Sequence, residues 1–194
     1  MDWITPLTGL VGVLVGAATS YASTHQAQKR QLADARLVRN EADRAAVVAA
    51  NAQALTALLG HIRKMPSDSS SDVPTTEYEH LLAREEAWWN ESLEYIEPAR
   101  VAALQVRDEK LRVLLVDGLT WIQDCQFLNL GPYQRSRDWL MMGTIHHLIA
   151  SVFAWRRGDA SMPEPNGRYK RLKEAWEYDE EVRRIEAEER EAAR

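Results

Sequence analysis

The apolar pattern of the chain begins with an uninterrupted run from Trp3 to Ala22, twenty residues without a charged side chain. As an α-helix rising about 1.5 Å per residue, this run would be about 30 Å long, which matches the hydrocarbon thickness of a bilayer. Trp3 and Tyr21 stand near its two ends, where interfacial aromatic residues are expected. The pattern predicts a transmembrane anchor over residues 1–23.

Small side chains recur every four residues within this predicted span. Such spacing lets two helix backbones approach closely, as in the Gly-x-x-x-Gly motif of membrane dimers. The residues concerned are Thr8, Gly12, Gly16 and Ser20. They predict a face for self-association. The alternative is that glycine and threonine, which are common in single spans, only dilute its hydrophobicity.

Residues 24–65 continue the helical pattern as a predicted stalk helix, with no proline and with Gly60 as the only glycine. Apolar positions alternate steps of four and three residues, which is the heptad spacing of a packed helix face. This stalk seam comprises Val48, Ala52, Leu55, Leu59 and Ile62. Because Ala52 is small and the pattern is weak before Val48, the seam suits a helical hairpin as well as a parallel coiled coil.

Residues 66–75 are rich in serine, aspartate and proline and predict a polar linker. Three apolar stripes of helical period follow within residues 76–178 and predict a helical bundle. The first stripe, which we expect to end near Pro98, is Tyr78, Leu82, Trp89, Leu93 and Ile96. The second, expected to end at Gly131, is Leu111, Leu115, Gly118, Ile122 and Cys125. The third, ending at Gly158, is Met141, Ile145, Leu148, Val152 and Trp155.

The predicted fold is therefore all-α. A single N-terminal transmembrane helix continues into a long stalk helix, and an antiparallel helical bundle follows. Residues 179–194 add a charged helical tail, in which Glu180 and Arg184 form one of the i, i+4 pairs that stabilise an exposed helix. No segment has the strict alternation of a strand between turn residues.

Charge beside the predicted span determines its orientation. Only Asp2 precedes the span, whereas four basic residues follow it closely: Lys29, Arg30, Arg36 and Arg39. The positive-inside rule then predicts a single-pass protein of the cell membrane, with its N-terminus outside and its C-terminal body in the cytoplasm. A cleaved signal peptide is the alternative, with a cleavage site near Ala22, but the basic n-region of a signal peptide is missing.

The composition and charge of the chain argue against some classes of function. The 194 residues, 45% of them hydrophobic, suffice for one folded domain besides the anchor. The net charge is −5, and residues 1–66 hold seven lysines and arginines against four acids, so the remainder carries −8. Such an acidic body argues against a nucleic-acid partner.

Cys125 is the only cysteine, so no intramolecular disulfide can form. Its place on an apolar stripe predicts a buried, unreactive thiol.

Candidate chemistry is sparse. Glu77 and His80 have the Glu-x-x-His spacing of helical di-iron sites, but no second Glu-x-x-His completes such a site. His146 and His147 differ by about 100° around a helix, so we expect one at the core boundary and the other in solvent. The motifs of serine hydrolases, nucleotide-binding loops and zinc sites do not occur. We therefore predict no catalytic residue, no metal site and no cofactor.

These observations favour a membrane-anchored, cytoplasm-facing interaction or scaffold protein. Its partners would be the lipid bilayer and a second copy of the chain or another membrane protein. One alternative is a small membrane-acting effector of lysis or defence that oligomerises through its glycine-bearing span. A further alternative, an enzymatic or metal-binding bundle, rests on Glu77 and His80. In layout the chain resembles single-span proteins of alanine- and arginine-rich bacterial proteomes, a likeness that involves no specific motif and implies no activity.

Overall fold

The computed structural model describes the backbone of residues 4–66 and 75–194 and the side chains of residues 28–29, 31–66, 80–134 and 136–194. This part of the chain contains five α-helices: α1 (Ile4–Ile62), α2 (Thr75–Leu104), α3 (Glu109–Asp124), α4 (Arg137–Arg157) and α5 (Gly167–Ala192). A 3-10 helix over Gly131–Ser136 precedes α4. No described residue lies in a β-strand, so the all-α prediction is confirmed for these residues.

The chain divides into two compact units, residues 1–45 and residues 46–194, which we call the N-terminal and C-terminal units. In the N-terminal unit every side chain from Gln31 to Asp43 is exposed. These include Leu32, Leu37 and Val38, each with 60% or more of its surface accessible. The described side chains of this unit therefore form no hydrophobic core.

The C-terminal unit holds the described core. Its first fully buried side chain is Val48, and every helix from α1 to α5 contributes to it. The largest side chains that are completely buried are Leu55, Leu58, Ile62, Ile96, Leu111, Leu115, Leu119, Ile122, Leu128, Leu140, Met141 and Ile145. Burial of each such side chain stabilises the fold by about 1.5–3 kcal/mol.

The C-terminal part of α1 packs against α2. Asn51 donates a hydrogen bond of 2.9 Å to the carbonyl of Ala102, and the His61 ring stacks on Trp88. A residue early in this part of α1 thus meets the end of α2, and a later one meets its middle, so the two helices run in opposite directions. Of the predicted stalk seam, Val48, Leu55, Leu59 and Ile62 are buried and Ala52 is half-buried. Within the single chain, the seam belongs to a helical hairpin.

Two expectations for α2 are wrong. The helix does not end at Pro98 but continues to Leu104, because buried Ile96, Ala99 and Ala103 carry one packed face past the exposed proline. Their packing offsets the backbone hydrogen bond that proline cannot donate.

The buried face also differs from the first predicted stripe, in which Leu82 and Leu93 are exposed. Trp88 and Ser92 are buried instead. Ser92 can be buried because its hydroxyl donates to the Trp88 carbonyl and lies 3.0 Å from His61 Nε2.

The second and third apolar stripes are placed as expected. All five residues of the second stripe are buried, and of the third only Trp155 remains half-buried. Asp108 caps α3 by accepting a hydrogen bond from the Leu111 amide, and Gly158 ends α4 in a left-handed conformation with φ of +77°. The end expected at Gly131 is wrong, because α3 stops at Asp124. Leu128 and Leu130 in the turns that follow are buried in the core.

One described helical segment, Gln31–Ile62, is long and apolar enough to cross a membrane by length and composition. In its most apolar window 39% of the surface is buried within the protein, because its second half packs into the core of the C-terminal unit. A helix that packs in the core of a soluble protein can therefore meet the same criteria of length and composition. The segment predicted from the sequence, Trp3 to Ala22, lies outside the residues whose side chains are described.

Candidate functional site

A groove between the beginnings of α4 and α5 brings arginine and aromatic side chains together on the described surface. It encloses about 720 Å³ and is lined by Trp139, Gly143, His146, Asn166, Arg168 and Arg171. Tyr133, from the 3-10 helix, stands beside Trp139 at its edge. We call this site the arginine-aromatic groove. Its volume is in the range of small-molecule sites.

Asn166 fixes the start of α5 against α4. Its side-chain oxygen accepts hydrogen bonds from the amides of Arg168 (3.0 Å) and Tyr169 (2.9 Å), and its side-chain nitrogen donates to the Gly143 carbonyl at 2.7 Å. Asn166 thus supplies an acceptor for the first amide N–H groups of α5 and links this turn to the middle of α4. This tie sets the position of the arginines that follow on α5.

The guanidinium groups of Arg168 and Arg171 lie on aromatic rings. Arg168 is 4.3 Å from the centre of the Trp139 ring, and Arg171 is 4.5 Å from the Tyr133 ring and 5.8 Å from the Trp139 ring. The two rings are nearly parallel, at 11°, with centres 6.2 Å apart. Each contact is a cation–π interaction worth about 0.5–2 kcal/mol.

Neither arginine is paired with a carboxylate in the described part of the chain, and neither guanidinium donates a hydrogen bond to a described residue. The other arginines of α5 differ: Arg183 pairs with Asp179 and Glu180, Arg184 with Glu181, and Arg190 with Glu186. A cation–π contact uses none of the N–H groups of a guanidinium as a hydrogen-bond donor to an oxygen acceptor. The groove therefore presents two positive charges with unused donors.

A second polar cluster surrounds His61, whose side chain is only 4% exposed. The imidazole lies between the Trp88 and Tyr95 rings, with ring centres 4.7 Å and 4.4 Å apart. Its Nε2 is 3.0 Å from Ser92 Oγ, and its Nδ1 is 3.9 Å from a carboxylate oxygen of Glu91. Serine, histidine and glutamate thus stand in the order found in hydrolytic triads.

The hydrogen-bond directions in this cluster oppose that chemistry. The Ser92 hydroxyl donates at 2.8 Å to the Trp88 carbonyl, so Oγ accepts from His61 and the Nε2 proton is assigned by this network. A general base would need a free lone pair at Nε2 and a serine proton directed toward it. The cluster is therefore a structural tie between α1 and α2.

The two adjacent histidines of α4 lie in different environments, as expected. His146 is exposed on the wall of the groove, whereas His147 is 3% exposed and packs against Tyr169, with ring centres 4.4 Å apart. Burial lowers the pKa of His147 below its usual 6.5. Burial also raises the pKa of Tyr169 to about 12, and the carboxylates of Asp117 and Glu177 act in the same direction.

The remaining sequence predictions have mixed outcomes. Cys125 is completely buried, so its predicted burial is confirmed, and desolvation raises the pKa of its thiol to about 12, which disfavours the reactive thiolate. The predicted self-association face, Thr8, Gly12, Gly16 and Ser20, lies outside the described side chains, as does Glu77. His80 is exposed. Among the described residues, no three His, Cys, Asp or Glu side chains converge in a way that would hold a metal ion.

Sequence reasoning missed the arginine-aromatic groove. It predicted no functional role for Trp139, Arg168 or Arg171. A partial signal was present for Arg171: no acidic residue lies three or four positions before it, whereas acids precede Arg183, Arg184 and Arg190 at that spacing. Sequence spacing cannot show that Tyr133 and Trp139 lie close to the first turns of α5.

Comparison with models of protein families, with curated proteins and with solved structures finds no match to this chain.

Proposed function

We propose that the protein is a membrane-anchored interaction protein, whose N-terminal helix crosses the cell membrane once and whose C-terminal unit is a helical bundle in the cytoplasm. The observation that carries this proposal is the division of α1 into parts of different character. The helix starts at Ile4, yet no described side chain before Val47 contributes to the core of the C-terminal unit. In the preceding part, the exposed described residues Gln31 to Asp43 lie between that core and the uncharged run that begins at Trp3.

The sequence of that preceding part supports a membrane role. Twenty uncharged residues from Trp3 to Ala22 are followed by Lys29, Arg30, Arg36 and Arg39. An uncharged helix of this length is matched to a bilayer, and basic residues close behind it are retained on the cytoplasmic side. The exposed and charged stretch from Gln31 to Asp43 suits the aqueous region beside the membrane.

The mechanism that follows is positional. A domain fixed to a membrane has a raised effective concentration toward other molecules held on the same surface, so weak contacts become sufficient. Self-association through Thr8, Gly12, Gly16 and Ser20 would bring two bundles together and double the number of binding surfaces. The arginine-aromatic groove, with two unpaired positive charges, is the surface through which we propose that the bundle meets its ligand.

Fractionation tests the anchor. We expect the full chain to remain in the membrane pellet after an alkaline carbonate wash, and a chain lacking residues 1–23 to be released into the soluble fraction. A matched control replaces Gly12 and Gly16 by leucine, which removes the small-residue face but preserves an apolar span, and should stay in the pellet. Soluble full-length protein, or a truncated chain that stays with the membrane, would contradict the proposal.

The alternative of a membrane-acting effector predicts a different phenotype. Expression of such a protein would depolarise the host membrane, and the double glycine substitution would abolish this effect. A membrane anchor for an interaction domain predicts an unchanged membrane potential with either chain. Measurement with a potential-sensitive dye therefore separates the two functions.

A further inference from the structure

We propose that the arginine-aromatic groove is a binding site for a phosphate monoester, carried either by a soluble metabolite or by a lipid headgroup. This inference names the ligand class of the surface invoked above, but it does not depend on membrane anchoring. A phosphate monoester carries close to two negative charges at neutral pH and three acceptor oxygens. Arg168 and Arg171 supply two positive charges and unused donors at one site.

The first support is that, in the described part of the chain, neither guanidinium forms an ion pair with a carboxylate. Ion pairing is the ordinary arrangement on this helix, because Lys173, Arg183, Arg184 and Arg190 each contact an acidic side chain. Arg168 and Arg171 depart from this arrangement, and both line the arginine-aromatic groove. Since the whole chain carries a net charge of −5, attraction of an anion must come from this local pair of charges.

The cation–π contacts are the second support. Arg168 Cζ lies over the Trp139 ring and Arg171 Cζ lies over the Tyr133 ring, and these contacts restrict the positions that the two side chains can adopt. A guanidinium carries five N–H donors and can form paired hydrogen bonds to phosphate oxygens. Binding then requires little further ordering of the arginines.

The construction of the groove around Arg168 is the third support. Gly143 faces the stem of this arginine, and a Cβ at Gly143 would lie 2.4 Å from Arg168 Cβ and 2.3 Å from its Cδ. Only a glycine therefore allows the stem to cross α4 at this point. Asn166 holds the same crossing by donating to the Gly143 carbonyl. The first turn of α5 is already capped by Asn166, so the site consists of side-chain donors.

The wall of the groove offers a surface for an organic group. The groove is open to solvent, its volume of about 720 Å³ is larger than a bare phosphate needs, and the Trp139 ring lines it beside His146. A phosphate on the two arginines leaves room for a small polar or glyceride group against this wall. The shared chemistry of soluble and lipid sources is thus the phosphate monoester itself.

Isothermal titration of the purified full chain in a neutral detergent tests the proposal with two probes. Glycerol 3-phosphate represents the soluble source, and short-chain dihexanoyl phosphatidic acid represents the lipid headgroup. We expect saturable binding of at least one probe. Tighter binding of glycerol 3-phosphate indicates a soluble ligand, and tighter binding of the phosphatidic acid indicates a lipid. Succinate, a dianion without phosphate, should bind about tenfold more weakly than the better probe, and equal binding of succinate would overturn the phosphate assignment.

Substitutions on one helix provide the matched control. The double variant R168Q/R171Q should lose about tenfold or more in affinity, because charge-assisted hydrogen bonds are removed. The double variant R183Q/R184Q makes the same charge change at arginines that already have acidic partners, and should bind as the unchanged protein does. An equal loss in both variants, or no saturable binding of either probe to the unchanged protein, would overturn the proposal.

A charge-preserving variant guards against misfolding. R168K/R171K retains both positive charges but loses the planar donors, so affinity should still fall several-fold while the circular dichroism spectrum stays unchanged. Full affinity in this variant would overturn the inferred recognition by paired hydrogen bonds. Because the fractionation experiment concerns the N-terminal helix alone, failure of phosphate binding and failure of the anchor are distinguishable.

Discussion

Gly143 and the stem of Arg168 occupy adjoining space at the crossing of α4 and α5, and an added Cβ at Gly143 would stand 2.3 Å from Arg168 Cδ. The nearest atoms also include Arg168 Cβ, which cannot move without moving α5. We therefore expect Gly143→Ala to lower the free energy of unfolding by about 1–3 kcal/mol, the usual cost of overpacking. Urea unfolding followed by tryptophan fluorescence measures this change.

Gly60, also inside a helix, is the matched control. It lies in α1, and a Cβ there would meet no atom within 4 Å. Alanine favours the helix over glycine by about 0.5–1 kcal/mol, so Gly60→Ala should raise the unfolding free energy. If both substitutions raise it, the close approach of Arg168 to Gly143 is wrong.

The buried imidazole of His147 predicts a loss of stability in mild acid. Burial lowers its pKa below 6.5 in the folded protein, whereas the unfolded chain titrates near the usual value. The unfolded state then binds more protons, so this contribution to stability is complete above about pH 6.5 and declines as pH falls toward the folded pKa. His147→Phe, which keeps a ring against Tyr169, should flatten the dependence of unfolding free energy on pH between about pH 7.5 and about pH 5.

The neighbouring histidine gives the comparison for this measurement. His146 is exposed, so His146→Gln should leave the pH dependence as it is in the unchanged protein. The same flattening in both variants would show that the effect does not come from the buried ring.

We expect the hydrogen bond between Ser92 and His61 to stabilise the fold, and we do not expect Ser92 to act as a nucleophile. Ser92→Ala leaves His61 Nε2 with only its longer contact, 3.4 Å to the Trp88 carbonyl, which should cost about 0.5–1.5 kcal/mol of unfolding free energy. Ser136→Ala is the control, since Ser136 makes no side-chain capping hydrogen bond and its loss should cost about 0.5 kcal/mol or less. Labelling of Ser92 by a fluorophosphonate in the unchanged protein would contradict the proton directions assigned to this cluster.

The division at residue 45 predicts that the C-terminal unit folds alone. Its described core begins at Val47 and Val48, so removal of residues 1–45 takes away no described core side chain. A fragment of residues 46–194 should be helical by circular dichroism and should unfold in one cooperative transition. A fragment that aggregates or lacks a cooperative transition would show that residues 1–45 complete the fold.

Local sequence patterns were sufficient for much of the helical structure. The stripe from Leu111 to Cys125 and the glycine stop at Gly158 follow from side-chain period and backbone freedom, which are local properties. The face of α2 was misjudged because Ser92 is buried through its bonds to His61 and Trp88, a tertiary arrangement that overrides hydrophobicity at Leu93. The passage of α2 through Pro98 likewise depends on packing of Ile96 and Ala99.

The arginine-aromatic groove could not be predicted for a similar reason. Arg171 and Tyr133 are 38 positions apart in sequence, yet the guanidinium lies 4.5 Å from the ring. That contact depends on the crossing of α4 and α5 at Gly143 and on the cap at Asn166. The acids that precede Arg183, Arg184 and Arg190 by three or four positions have no counterpart before Arg171, but the aromatic partners become apparent only in the folded chain.

Cysteine labelling of intact cells tests the proposed membrane topology. The unchanged protein is a silent background, because Cys125 is fully buried and its thiol pKa is raised to about 12. A cysteine introduced by Glu191→Cys, in the exposed last turn of α5, should react with a membrane-impermeant maleimide only after the cells are opened. The variant Asp2→Cys should react in intact cells. Labelling of Glu191→Cys in intact cells would place the C-terminal unit outside and contradict the cytoplasmic, membrane-anchored protein proposed above.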